Sequence, residues 1–202
     1  ANTTANNNTT VGAFALGANT TGTQNIAIGA YALDATTTSS NNTAIGYQAM
    51  TDANGAVDSV AVGSEALANV TTGDYNVGVG FQALKTITTS GNCVAVGYQA
   101  LENNTAGNNT AVGSNALQSN TTGSSNNAFG ELSMNTNTTG NQNCAFGRES
   151  LKTNNGNYNN AFGHQTLENN TPGTQNQAFG LNALTANTTG SNNVAMGPAA
   201  LT

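Results

Sequence analysis

One glycine recurs through the whole chain at a nearly constant interval, and that interval restricts the fold more than any other feature. Within the phrase Asn-x-Ala-apolar-Gly-x-x-Ala-Leu it falls at Gly12, Gly29, Gly46, Gly63, Gly80, Gly97, Gly113, Gly130, Gly147, Gly163, Gly180 and Gly197. Nine of the eleven spacings are 17 residues, and the steps from Gly97 and from Gly147 are 16. A chain of 202 residues with this period is one small unit stacked on copies of itself, and each copy is stabilised mainly by its neighbours. The expected organisation is a single array over residues 1–202, twelve repeats with no atypical end repeat. Ends of that kind raise the expectation of a stack that continues in further chain or in another subunit, head to tail.

Each column of the repeat has its own chemistry. Four residues before the anchor stand Asn8, Asn25, Asn42, Asn76, Asn109, Asn126, Asn143, Asn159, Asn176 and Asn193, with Ser59 and Cys93 as the exceptions. Stacked in register, such amides can bond the copies above and below as a ladder. Ala dominates two residues before and three residues after the anchor, so another backbone must pass close by. Four residues after it comes the apolar seam: Leu16, Leu33, Met50, Leu67, Leu84, Leu101, Leu117, Met134, Leu151, Leu167, Leu184 and Leu201. The residue just before the anchor is Val or Ile as far as Val112, then Phe129, Phe146, Phe162 and Phe179, then Met196. In the Phe repeats the residue two places earlier becomes Asn127, Cys144, Asn160 or Gln177. Residues two apart on a strand share a face, so this correlated exchange predicts a strand at Asn-x-Ala-apolar. Asn-Thr-Thr-Gly segments, such as 19–22 and 137–140, read as corners. Helix is not expected, since the apolar spacing lacks a 3.6 period and Gly, Asn and Thr are poor helix formers.

The reading is an all-β parallel β-solenoid, or β-roll, of twelve coils with about two short strands in each. A strand spacing of ~4.8 Å gives a rod of roughly 53 Å. The phrases Asn25-Ile-Ala-Ile-Gly29, Ser59-Val-Ala-Val-Gly63 and Asn193-Val-Ala-Met-Gly197 resemble the head repeats of YadA-type trimeric autotransporter adhesins. Asn42-Thr-Ala-Ile-Gly-Tyr-Gln-Ala-Met50 is similar to repeats of phage tail-fibre shafts. The resemblance implies a left-handed β-roll at a cell or virion surface, often trimeric. The adhesin repeat is nearer fourteen residues, so this chain departs from it in length.

Composition removes several functions from consideration. Only three basic residues occur (Lys85, Arg148 and Lys152), against a net charge of −6, which is too few for a nucleic-acid surface. No run of eighteen apolar residues suggests a membrane-inserted helix. His164 is the only histidine, and the carboxylates (Asp34, Asp52, Asp58, Glu65, Asp74, Glu102, Glu131, Glu149 and Glu168) are scattered. Neither a metal site nor a nucleophile with its base is expected, and hence no enzyme activity and no cofactor. Cys93 and Cys144 lie three coils apart, roughly 14 Å and beyond disulfide reach, and read as small buried fillers of their columns.

Asn2, Asn19, Asn103, Asn120, Asn137 and Asn187 begin Asn-x-Thr sequons that fall in the corner, where a glycan would be tolerated. Thr-rich corners could carry O-linked sugar instead. The functional expectation is therefore the structural shaft of an extracellular filament or surface appendage. Its partner would be itself, as a head-to-tail polymer or a homotrimer, with covalent glycans. The alternative is an adhesin or tail-fibre segment that binds a host surface, with Tyr31, Tyr47, Phe81 and Tyr98 near the anchors as contact residues. An ice-binding protein is the remaining reading, although no strand shows a constant Thr-x-Thr face.

Overall fold

The computed structural model describes residues 4–202. The chain is an all-β parallel solenoid with twelve strands, β1 (Thr9–Val11) through β12 (Val194–Met196), and no helix among the described residues. All twelve strands belong to one sheet whose spatial order is the chain order. Neighbours pair in parallel with equivalent residues opposite, as in Ile26↔Thr43, Ala27↔Ala44 and Ile28↔Ile45. The two shortened coils keep the same register, Val94↔Thr110 and Cys144↔Asn160. Each missing residue is therefore absorbed outside the strand, in a corner loop that can shorten without moving the ladder.

Each coil contains one strand of three residues, not the two strands expected. Where a second strand was anticipated, the chain after the anchor glycine runs through a turn segment with backbone angles of alternating sign. The second and fourth residues after the anchor take the left-handed region, for example Gln99 (φ 51°) and Leu101 (φ 53°). That region costs a non-glycine residue about 1 kcal/mol or somewhat more. Hydrogen bonding to the neighbouring coil compensates: Leu67 N–H donates to the Ala83 carbonyl (3.0 Å) and Leu84 N–H to the Ala100 carbonyl (3.1 Å). Burial of the leucine side chain adds ~2 kcal/mol, so the strained conformation is kept. The segment is laddered like a strand without being extended.

The core is thin and lies between the strand and this segment. Ala27, Ala44, Ala61 and their equivalents point inward from the strands and are fully buried, as are most of the alanines three residues past the anchor. Between them stands one leucine or methionine per coil, buried from Leu16 to Leu184, while Leu201 in the last coil is 61% exposed. The anchor itself must be glycine. Gly63 has φ +137°, and a Cβ there would stand 2.4 Å from the carbonyl oxygen of Gly80 in the next coil.

Candidate interaction surfaces

Inside each corner the ten-membered asparagine column bonds mostly to backbone. Asn25 Oδ1 accepts from the Asn42 N–H (3.0 Å), while its Nδ2 donates to the Ser39 carbonyl of the next corner (2.8 Å). Asn126 repeats this toward Asn143 (3.0 Å) and Gly140 (2.8 Å). Ser59 continues the chain because its hydroxyl accepts from the Asn76 N–H (3.1 Å). Asn8 and Asn193, in the end coils, are half-buried, and the other eight asparagines are buried. Each amide joins the start of one coil's strand to the corner of the next.

A second amide ladder was not read from the sequence. Seven residues past the anchor, Asn120 Nδ2 donates to Asn104 Oδ1 (2.7 Å), Asn137 to Asn120 (2.9 Å), Asn170 to Asn154 (2.9 Å) and Asn187 to Asn170 (2.7 Å). In the middle coils Ala53, Val70 and Ile87 fill the same buried place. That exchange between Asn and aliphatic residues at one fixed position was the available signal, since only a buried position tolerates both.

This ladder corrects the glycosylation expectation. Asn19, Asn120 and Asn137 are fully buried, and the Nδ2 that would bear a sugar is hydrogen-bonded within the corner. Half-buried Asn187 spends its Nδ2 on Asn170 and Gly190. Asn103 is exposed because it stands one column earlier, six residues past its anchor rather than seven. Asn2 lies outside the described residues.

The exchange between the Phe repeats and their amide partners takes place on a face that points outward. Strand residues on either side of the buried alanine are partly or fully exposed, with Ile26 at 38% and Phe146 at 37%. They form two columns along the rod, one Val, Ile or Phe, the other Thr, Ile or Val and then Asn, Cys or Gln. Phe129, Phe146, Phe162 and Phe179 stack along this face with centroid separations of 4.5 to 5.0 Å and planes within 6° of parallel. Cys144 sits on the same face, half-exposed, so only Cys93 is the buried filler expected of both; neither is in a disulfide. Burial raises the pKa of both thiols.

Beside the sheet face, Phe14 stacks on Tyr31 and Phe81 on Tyr98 (5.1 and 5.5 Å), while Tyr47 meets Tyr31 edge-on. The charged residues are few, and each of the three cations is paired with carboxylates. Lys85 pairs with Glu65 (2.6 Å), and Arg148 bridges Glu131 and Glu149. Lys152 lies between Glu149 (3.5 Å) and Glu168 (3.9 Å), and the His164 ring contacts the Arg148 guanidinium (3.2 Å). The Lys85 ammonium, joined by the Gln82 amide, holds the Glu65 carboxyl below its ordinary range. Desolvation opposes ionisation of Glu149, but the Gln165 amide and the cations of Lys152 and Arg148 outweigh it and lower its pKa.

Glu65 and Lys85 also line a surface cleft with Gln48, Thr51, Asp52, Ala68 and Asn69. Among the described residues no three His, Cys, Asp or Glu side chains gather as a metal site, and no helix is long and apolar enough to cross a membrane. No protein-family model, curated protein or solved structure matches this chain.

Proposed function

We propose that this chain is the β-solenoid shaft of an extracellular filament or surface appendage, and that it works by packing against further copies of itself. The observation that carries this is the outward sheet face: two columns without a charged residue run the full length of the strand ladder. One of them, Val, Ile, Phe or Met at every level, is a partly exposed apolar strip of the kind that marks an association surface. The buried polar chemistry of the chain is spent on amide ladders, which suits a durable rod. Thr-rich corners stand on the outside of that rod. The YadA-like and tail-fibre-like phrases support the same placement at a cell or virion surface. Catalysis and a bound cofactor have no part in this reading.

A second reading, recognition of a host surface by an adhesin or tail-fibre segment, is favoured by the aromatic flank, where Tyr47 and Tyr98 are about half exposed (49% and 51%). The outward column before the anchor is Val, Ile, Phe or Met throughout, so no strand offers the Thr-x-Thr pair an ice-binding face would need, which favours the shaft over ice binding. Glycan attachment, if part of the shaft, belongs on exposed corner threonines such as Thr21 and Thr122, or on exposed Asn103 at the expense of its Nδ2 bond to the Gln118 carbonyl (3.1 Å).

The test is electron microscopy of native material together with its intact mass. Long rods or bundles are the expected result, and mass above that of the polypeptide would place sugar on them. Short discrete particles with a distinct tip would move the assignment to recognition, and dispersed single chains at high concentration would overturn the shaft. Head-to-tail polymerisation through edge strands β1 and β12 is the competing mode of assembly, and it would appear as single-width filaments.

A further inference from the structure

In several corners of the rod, three donors gather on one oxygen of the next coil. Thr121 N–H (3.0 Å), Thr122 N–H (3.1 Å) and the Thr121 hydroxyl (3.0 Å) all donate to the main-chain carbonyl of Thr138. Thr71 N–H (2.8 Å), Thr72 N–H (3.2 Å) and the Thr71 hydroxyl (3.1 Å) do the same toward the Thr88 carbonyl. In the shortened coil after Gly147 the acceptor is instead a side chain. Asn155 Oδ1 accepts from Thr138 N–H (2.7 Å), the Thr138 hydroxyl (2.9 Å) and Thr139 N–H (3.2 Å). That coil lacks one residue, and the amide oxygen takes the place of a main-chain carbonyl.

The residue that follows is glycine. Asn-Gly occurs twice in the chain, at Asn54–Gly55 and Asn155–Gly156, both times eight residues past an anchor, where every other coil that reaches so far carries Thr. Glycine has no side chain to shield its nitrogen from the carbonyl carbon of the preceding amide. We propose that Asn155 is a self-modification site, at which the Gly156 nitrogen attacks the side-chain amide and the asparagine becomes a carboxylate. The Gly156 nitrogen bonds to Asn155 Cγ, the Cγ–Nδ2 bond breaks, and ammonia leaves with the glycine proton. A five-membered succinimide remains. Solvent water then opens the ring, at Cγ to give aspartate or at the main-chain carbonyl to give isoaspartate.

Three features of the corner favour this position. Negative charge develops on Oδ1 as Cγ becomes tetrahedral, and three donors already converge there, in the manner of an oxyanion hole. The same donors then hold the product carboxylate through charge-assisted hydrogen bonds, which are stronger than those to a neutral amide. The nucleophile is also unengaged. Gly73, Gly123 and Gly173 donate their N–H to a carbonyl of the next coil (3.3, 3.3 and 3.4 Å), whereas the Gly156 N–H meets no acceptor among the described residues. Asn54 is the contrast: its Oδ1 accepts only from the Thr37 N–H (3.3 Å) and hydroxyl, and the Ser39 hydroxyl holds the Gly55 N–H (2.7 Å). The fold thus directs the reaction to one of two identical dipeptides. No second copy is needed, so the site stands apart from the shaft reading. Each conversion adds a negative charge to the exposed corner, and isoaspartate also adds a main-chain atom to a coil that is one residue short.

Mass spectrometry of peptides from the full chain, aged in mildly alkaline buffer, tests this, with electron-transfer fragmentation to tell aspartate from isoaspartate. Unfolded in denaturant, the two Asn-Gly pairs should convert at similar rates. In the folded rod Asn155 should convert at least about tenfold faster than Asn54. Equal rates in the folded rod, or conversion of Asn54 ahead of Asn155, would overturn the proposal. Thr138→Val removes one donor and keeps the side-chain shape. It should slow Asn155 by about tenfold while Asn54 in the same molecule keeps its rate and so reports an intact rod. An unchanged Asn155 rate would show that the donors give no assistance. Asn155→Asp should keep or raise the thermal midpoint, and a clear fall would show that the corner rejects the carboxylate.

Discussion

At the residue scale, what a position tolerates depends on how close the next coil stands. A methyl group at Gly63 would meet the Gly80 carbonyl at 2.4 Å and would need a φ of +137° that alanine avoids. Gly63→Ala should therefore destabilise the rod by about 3 kcal/mol or more, read as a fall in the thermal midpoint by circular dichroism. Gly78 looks similar in sequence but occupies the column where ten coils carry Ala, and a Cβ there meets its nearest atoms at 3.1 and 3.2 Å. Gly78→Ala should change stability by less than about 1 kcal/mol. Asn126 supplies a second contrast. Replacing it by Leu leaves the Asn143 N–H buried without a partner, while the Gly140 carbonyl keeps only the Asn137 amide as donor, at a cost of about 1–3 kcal/mol. Asn126→Ser should cost less, because Ser59 already shows a hydroxyl accepting from the next coil in this column. Equal losses for Leu and Ser in chemical denaturation would contradict the ladder account.

At the scale of one element, the strand is short because the residues after the anchor glycine are held in a different conformation, and the charged residues gather on that turn segment and its flank. Glu65 and Glu149 both have carboxyls held below their ordinary range by neighbouring amides and cations. A group whose folded-state pKa is depressed contributes stability that is fully present above the unfolded value, near 4.3, and is lost as pH falls through the folded one. The thermal midpoint should be flat around neutrality and fall on acidification below about pH 4. Glu149→Gln should flatten part of that fall while changing the neutral midpoint little, since its cationic partners are partly exposed and such pairs are screened by solvent. The sequence placed the strand of each coil and the buried leucine column correctly. It missed the turn segment, because left-handed conformation at Leu101 or Leu117 follows from contact with the next coil and runs against the residue's own preference.

For the whole molecule, stability is a sum over identical interfaces, so whole coils are interchangeable and fractions of a coil are not. Excising residues 64–80, one complete repeat, should leave a folded rod one strand shorter, with the same spectrum per residue and a modestly lower midpoint. Removing five residues from the same stretch should abolish cooperative unfolding, because a partial coil turns the inward Ala and Leu columns away from the core. Comparing the two deletions by circular dichroism and calorimetry checks this. The natural chain already shows the limit of tolerance: its two 16-residue coils shorten the corner and keep the strand register.

Sequence alone determined the period, the number of coils, the parallel stacking and the identity of the inward columns, because a repeat writes the same packing constraint twelve times. Tertiary structure decided which side of each column faces solvent and which face remains without a partner. The Val, Ile and Phe column is apolar by composition and lies on the outer face, while Asn19, Asn120 and Asn137 of the sequons read as surface and lie inside. Polarity is a poor guide here for a physical reason. In a solenoid an asparagine can be fully satisfied by the coil above and the coil below, and a strand's apolar side can be left open for another chain. Which of these happens depends on where the corners turn, and that is set by contacts between coils.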